Sequence, residues 1–549
     1  MDTIVSLFHQ TTSFIIPFIV LLGVLIFVHE LGHFSVAKFF GVRVEVFSLG
    51  FGRKILQKKY GDTVYCVSMI PFGGYVKMFG DDPSSEVPED QKKYSFNHQP
   101  VLPRVGIVLA GPLMNAFFAF VLFVVISGVG EEFISAKLGD VPEGSSAYSM
   151  GFRTGDNIIS VGGLQVDKWD TFKKSIEGNG GKSIDVQVQR EKDKITIHAT
   201  PATVANKNIL SNELQVGDIE GLSYLSRSSA VGIADPTSVA SRAGLRTGDL
   251  IRKIGNNEIT KWTELVYFLI ESANLGANTV NLQVDRAENQ KPLLISLPVV
   301  KSNPLGGIES SDLFLSDVKQ KSPAKAAGIE SGDRLLRINK KVLKRWEDVI
   351  KLVQGYDSKQ GPLEVEFNRQ GKIHVANITP EILSQTDGAG AEVKNYALGV
   401  VTGLIFAPPE TFVGREYSIT SMVTRGLNEA VHWTKLTALS FVKLAQRKVS
   451  AKSIGGPLMI GKLASDTWRV GISPFLKIMA IISINLFLLN LLPVPMLDGG
   501  HLLFFSIEFV KGSPLSFRKM EVLQQVGMFL LFALMVFSMF NDILRFFTS

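Results

Sequence analysis

Cysteine is nearly missing from this chain of 549 residues: Cys66 stands alone. A single thiol forms no internal disulfide, so a disulfide scaffold is excluded and no redox compartment can be read from the thiols. A surplus of one charge is missing too. The chain carries 57 basic and 51 acidic residues, a net charge of +6, and has no basic run of five or more. That argues against nucleic acid as a partner. With 46% hydrophobic and 20% charged residues, neither a disordered nor a collagen-like chain fits. The length suits about three or four domains. The mean hydropathy of +0.20 is unremarkable, but it averages over a very uneven distribution.

Four stretches lack charge altogether: Ile4 to Val28, Val105 to Gly130, Ile478 to Leu497 and Val522 to Asn541. About 20 apolar residues cross a bilayer, so four transmembrane helices are expected. The first run has no preceding Lys or Arg and no small-residue cleavage site after it, so it reads as a span and not as a cleaved signal. Between the second and third runs, residues 131–415 are polar, glycine-rich and full of short β-branched segments such as Ile184-Asp-Val-Gln-Val-Gln189. This block is expected to be a β-rich insert in water. Lys38, Arg43, Arg53, Lys54, Lys58, Lys59, Lys77, Lys92, Lys93 and Arg104 fill the first connection, and Lys511, Arg518 and Lys519 the last. Short basic loops stay in the cytoplasm, whereas a long block translocates whatever its charge. Both termini and the block are therefore expected outside the cytoplasm.

The block repeats itself. Gly151-Phe-Arg-Thr-Gly-Asp156, Gly244-Leu-Arg-Thr-Gly-Asp249 and Gly328-Ile-Glu-Ser-Gly-Asp333 are each followed, 14 residues after the second glycine, by Trp169, Trp262 and Trp346. The copies lie 93 and 84 residues apart (Gly155 to Gly248 to Gly332), far enough for each to be a small domain. The pattern Ala-Gly-Leu/Ile-x-x-Gly-Asp resembles PDZ domains of the bacterial protease-associated kind. The second and third copies match it; the first has Met150 where the pattern has Ala. The resemblance implies binding of extended peptides by strand addition and capture of a C-terminal carboxylate. Leu305-Gly-Gly-Ile308 is a candidate carboxylate loop, read here as part of the third copy.

The chemistry lies in the apolar parts. The first run ends Val28-His29-Glu30-Leu31-Gly32-His33. Histidines four apart on a helix project from one face and can share a zinc ion through neutral imidazoles. Glu30 is placed to take a proton from water at such a centre. Ionisable groups inside a span are costly and mark function. Zinc catalysis needs a third protein ligand and an open position. The third run ends Asn490-Leu-Leu-Pro-Val-Pro-Met-Leu-Asp498-Gly-Gly-His501. Pro493 and Pro495 break the helix, Gly499 and Gly500 allow close packing, and either Asp498 or His501 can supply the ligand.

These motifs together resemble the site-2 protease family of intramembrane zinc metalloproteases. Gly111-Pro-Leu-Met-Asn115 and Gly455-Gly-Pro-Leu-Met-Ile460 agree with the family's Gly-x-x-x-Asn motif and with the segment before its third span. The resemblance covers both membrane halves. The departure is a third PDZ-like unit where bacterial members usually carry two. It implies one Zn2+ held by His29, His33 and Asp498, with Glu30 as catalytic base and His501 not a ligand. It also implies that Asn490 holds the substrate strand or the developing oxyanion, a donor worth about 3–4 kcal/mol. Gly73, Gly74, Pro493 and Pro495 join Asn490 as expected substrate contacts. Thr63 to Met78 reads as a hairpin-like pair of strands with its turn near Pro71, Gly73 and Gly74; the resemblance implies that this is a membrane-associated β-sheet, whose exposed edge could pair with an unwound substrate. Ala430 to Arg447 has apolar residues at helical spacing and suits either the membrane surface or a packing site.

The expected fold is an α-helical polytopic membrane protein with four transmembrane helices, a membrane-associated β-sheet and an inserted tandem of PDZ-like domains. The expected divisions are 1–130, an N-terminal membrane half; 131–215, 216–300 and 301–385, three PDZ-like units; 386–470, a connecting segment with an amphipathic helix; and 471–549, a C-terminal membrane half. The expected activity is cleavage of transmembrane segments of single-pass proteins in a bacterial inner membrane, with the catalytic site toward the cytoplasm. The resemblance alone implies the substrates, a trimmed anti-sigma factor and remnant signal peptides, and their screening by the PDZ-like block, which also offers sites for peptide C-termini. A non-catalytic scaffold displaying PDZ domains and a metal transporter are the alternatives. The other histidines, His9, His98, His198, His374 and His432, lack partners at ligand spacing.

Overall fold

The computed structural model describes residues 2–548 apart from 83–86, 209, 212, 387–391 and 514–515. The chain starts in helix α1, Asp2–Phe39, then enters two long strands, β1, Val44–Tyr60, and β2, Thr63–Met78. Helix α2, Val101–Val129, follows. A short strand β3, Glu131–Ile134, leads into the polar block. The chain leaves the block through β4, Thr411–Gly414. Five helices complete it: α3, Ile419–Ala445; α4, Pro457–Val470; α5, Ile472–Asn490; α6, Asp498–Lys511; and α7, Phe517–Thr548.

Among the described residues, four segments are long and apolar enough to cross a membrane: Ser13–Phe39, Val101–Val129, Ile472–Asn490 and Arg518–Arg545. The first runs past the uncharged stretch and takes in His29, Glu30 and His33. The third is shifted from the run read in the sequence. It stops at Asn490, because Pro493 and Pro495 cannot continue a helix, and residues 491–497 form a turn. Leu21 and Leu25 of α1, Ala119 and Phe123 of α2, and Met479 and Ile484 of α5 share one buried core. Helix α3 packs on it through Ala430 and Trp433, and Thr437 Oγ1 donates to Asn485 Oδ1 of α5 at 3.0 Å. The amphipathic segment is thus a packing helix. Across the other end, Arg104 of α2 makes a two-pronged pair with Glu508 of α6, at 3.1 and 2.5 Å.

The sheet after α1 differs from the expected hairpin. Thr63 to Met78 does not fold back on itself. Residues 44–49 of β1 lie between the two ends of β2, pairing with Val64 to Val67 on one side and with Gly74 to Met78 on the other. The tight turn falls at Tyr60↔Thr63. The bend near Gly73 instead carries β2 around to the opposite edge.

In the block, each repeat builds the same four-stranded antiparallel sheet. In the first unit the order is Leu164–Gln165, Asn157–Val161, Ile184–Arg190, Asp193–Ala199. Trp169, Trp262 and Trp346 each open the helix that covers the sheet. The repeated Gly-Asp has one structural task. Asp156, Asp249 and Asp333 are 0–1% exposed and take two bonds each from Arg190, Arg286 and Arg369 at 2.7–2.8 Å. The same guanidinium donates to the carbonyl of Gly151, Gly244 or Gly328. Three separate hydrophobic cores run from Ala136 to Ile219, Val231 to Ile308, and Leu313 to Leu398. Boundaries at 215, 300 and 385 therefore cut each unit too early, since the last buried residue of each lies beyond them. Ile308 belongs to the second core and pairs with Ile233, so Leu305-Gly-Gly-Ile308 is part of the second unit, not the third. Entry and exit are stapled together, with β3 and β4 antiparallel from Glu131↔Gly414 to Ile134↔Thr411.

Candidate metal centre

Helix α1 sets His29 and His33 on adjacent turns, and α6 presents Asp498 in its first turn. The fold brings them together although they are more than 460 residues apart. The two Nε2 atoms are 3.2 Å apart. His29 Nε2 is 3.3 Å from Asp498 Oδ2, and His33 Nε2 is 3.5 Å from Asp498 Oδ1. A tetrahedral ion with bonds of about 2.0–2.2 Å requires ligand separations of about 3.3–3.6 Å. Two imidazoles and a carboxylate at these spacings fit zinc, with a fourth position left for chemistry. His501 is not part of this group.

The room for the two rings comes from α2. A Cβ on Gly111 would stand 2.3 Å from His33 Nε2 and 2.9 Å from His29 Cε1. No side chain fits there. One turn on, fully buried Asn115 places its amide Nδ2 3.2 Å from His29 Nδ1, while its Oδ1 is buried with no partner among the described residues. His33 Nδ1 faces the Ile107 carbonyl at 2.9 Å. Asn115 is the residue that the site reading left out; the Gly-x-x-x-Asn spacing was its signal in the sequence.

Glu30 borders the cluster. A Cβ on Gly74 would stand 3.0 Å from Glu30 Cγ, so the Gly74 main chain lies directly against that side chain. The edge of the sheet at 74–78 therefore passes directly beside Glu30. Gly73, at φ +136°, is turned away from it, under the Phe51 ring. Asn490 ends α5, and Pro493 and Pro495 lie in the turn between α5 and α6; none belongs to the three-ligand group. The Pro495 carbonyl is covered by α7, 2.1 Å from where a Gly527 Cβ would be. Of the remaining histidines, His198 pairs with Asp185, His98 with Ser95, and His374 stacks on Phe367. The side chain of His9 lies outside the described residues.

A metal site of this type between apolar helices is that of a membrane metallohydrolase. Comparison with known proteins gives the class its family. The profile of Peptidase family M50 matches residues 17–534, and the chain belongs to that family, the site-2 proteases. It is 30% identical over 530 residues to Protease RseP of Yersinia pestis, covering 96% of this chain and 98% of that one. It is 29% identical to regulator of sigma-E protease RseP of Escherichia coli K12, with the same coverage. A Neisseria meningitidis protein named as a zinc metalloprotease is 29% identical over 97% of this chain and 99% of its own. The chain is a metalloprotease.

Proposed function

We propose that this metalloprotease cleaves transmembrane segments of single-pass proteins within a bacterial inner membrane, using one zinc ion held by His29, His33 and Asp498. The observation that carries this reading is the triangle of ligand atoms at tetrahedral-edge spacing between α1 and α6. Zinc bound there supplies a Lewis acid that polarises a peptide carbonyl and makes a water acidic enough to attack it. Glu30 is the general base: it accepts the water proton and returns it to the leaving amine.

A helical substrate hides its scissile carbonyl in its own hydrogen bonds, so it must unwind, and an unwound backbone in lipid needs partners. The 74–78 edge of β2 offers them beside Glu30. Gly74 has no side chain to hold a substrate strand off, and strand addition along this edge delivers a carbonyl to the metal side. Asn490, Gly73, Pro493 and Pro495 belong to the proposed substrate surface around it.

The three repeat units are PDZ-like domains facing the periplasm, with both termini on that side and the catalytic centre toward the cytoplasm. They screen substrates by size, so a bulky outer domain is excluded until another protease trims it. By analogy with relatives named as regulators of sigma-E, the substrates are a trimmed anti-sigma factor and remnant signal peptides. Glu30→Gln should retain zinc and lose cleavage of a model single-pass substrate in reconstituted vesicles. Undiminished cleavage by that variant would falsify the assignment.

A further inference from the structure

The inference that follows rests on the zinc reading of the His29, His33 and Asp498 cluster. A neutral imidazole carries one proton. When Nε2 keeps its lone pair for a metal, that proton must sit on Nδ1. His33 satisfies this with a main-chain acceptor, its Nδ1 lying 2.9 Å from the Ile107 carbonyl oxygen. Among the described residues, no main-chain carbonyl takes that place for His29. Its Nδ1 lies 3.2 Å from the Asn115 amide, and Asn115 is fully buried, its Oδ1 without a partner among the described residues.

We propose that Asn115 is a positioning residue for the metal centre: its Oδ1 accepts the Nδ1–H of His29 and holds that imidazole in the tautomer whose Nε2 ligates. The oxygen and nitrogen of a side-chain amide occupy nearly equal volumes. Half a turn about the last torsion therefore presents Oδ1 to Nδ1 without moving the ring. Ser483 Oγ of α5 donates to the Asn115 main-chain carbonyl at 2.8 Å, which ties α2 to α5 at this level without touching the side-chain amide. The spacing of Gly111 and Asn115 now has one explanation. They lie one turn apart on the face of α2 that meets α1; Gly111 clears space for both imidazoles and Asn115 orients one of them. Ring-orienting partners of this kind change metal affinity by about 10- to 100-fold.

The test is the zinc affinity of the full chain in detergent, measured by competition with a metallochromic chelator. Asn115→Leu should weaken zinc by about 10- to 100-fold, while Asn115→Asp, which keeps an acceptor, should bind at least as tightly as the unchanged protein. Ser483→Ala perturbs the same helix crossing but not the amide, and should leave zinc affinity as it is. Asn115→Leu binding zinc normally overturns the proposal. So does Asn115→Asp binding tenfold or more weakly, a comparison that stands even if the leucine variant does not fold. Loss of affinity in Ser483→Ala equal to that in Asn115→Leu overturns it in favour of simple packing. His29→Ala separates the two levels: if it too binds zinc normally, the metal-centre reading itself has failed.

Discussion

Residue by residue, the centre depends on what is missing from α2 as much as on what α1 and α6 supply. His29 and His33 were legible from their spacing alone, because a helix fixes which side chains share a face. The choice between Asp498 and His501 was not. Both follow the same broken helix, and only the folded position of α6 puts Asp498, and not His501, against the two Nε2 atoms. Asp498→Asn should therefore weaken zinc binding steeply while His501→Ala spares it; equilibrium dialysis with metal analysis reads the difference, and the reverse order would reassign the ligand. Gly111→Ala is the sharper probe. Its new Cβ would overlap His33 Nε2 at 2.3 Å, so the variant should lose zinc stoichiometry and cleavage together. Normal zinc content in Gly111→Ala would mean that α1 and α2 can separate without cost.

Among the elements, the repeated turn of the block shows what a motif can and cannot reveal. Three Gly-x-x-x-Gly-Asp copies at a fixed distance from Trp marked three units, but not the purpose of the aspartate. It is a buried anchor whose charge is met by an arginine 34 to 37 residues later, a partner set by strand pairing and invisible as a local pattern. Removing one partner of a buried pair costs about 3–5 kcal/mol. Asp249→Ala is accordingly expected to destabilise the second unit by about 3 kcal/mol, with the first and third unaffected because their cores are separate. Hydrogen exchange resolved by segment would show increased opening confined to about 231–308; exchange rising throughout the block would contradict that independence. The sheet after α1 is a second case. Alternation and Pro/Gly content announced strands, yet the register, with β1 inserted between the ends of β2, comes from long-range pairing.

For the whole molecule, the block is tied down at its exit by Glu410. Its carboxylate bonds Lys137 of the first unit at 2.8 Å and Lys261 of the second at 2.6 Å. Partial burial pushes the Glu410 carboxyl up, but the two ammonium groups together hold it below the ordinary glutamate value. A lowered carboxylate stabilises fully above its unfolded value of about 4.3 and loses that contribution as pH falls through the folded one. The clasp should thus be intact at neutral pH and open only in acid, once the pH falls through that lowered folded value. Limited proteolysis should find the 134–137 and 261 segments exposed at that pH in the unchanged chain, and already at pH 7 in Glu410→Gln. Equal protection of both at every pH would rule the clasp out. Taken alone, the sequence determined everything that depends on local period and solvent: four lipid-soluble helices, a β-rich insert in three copies, the spacing of two histidines on one face, and a helix broken before Asp498. Those are properties of short windows, where side-chain polarity and backbone geometry act directly. Tertiary structure decided what depends on meeting across the chain: that Asp498 closes the triangle with His29 and His33, that Gly111 and Asn115 shape and orient it, that Gly74 rather than Gly73 faces Glu30, and where each repeat ends. Such contacts are set by how helices and strands pack in three dimensions, and no window of sequence contains both partners.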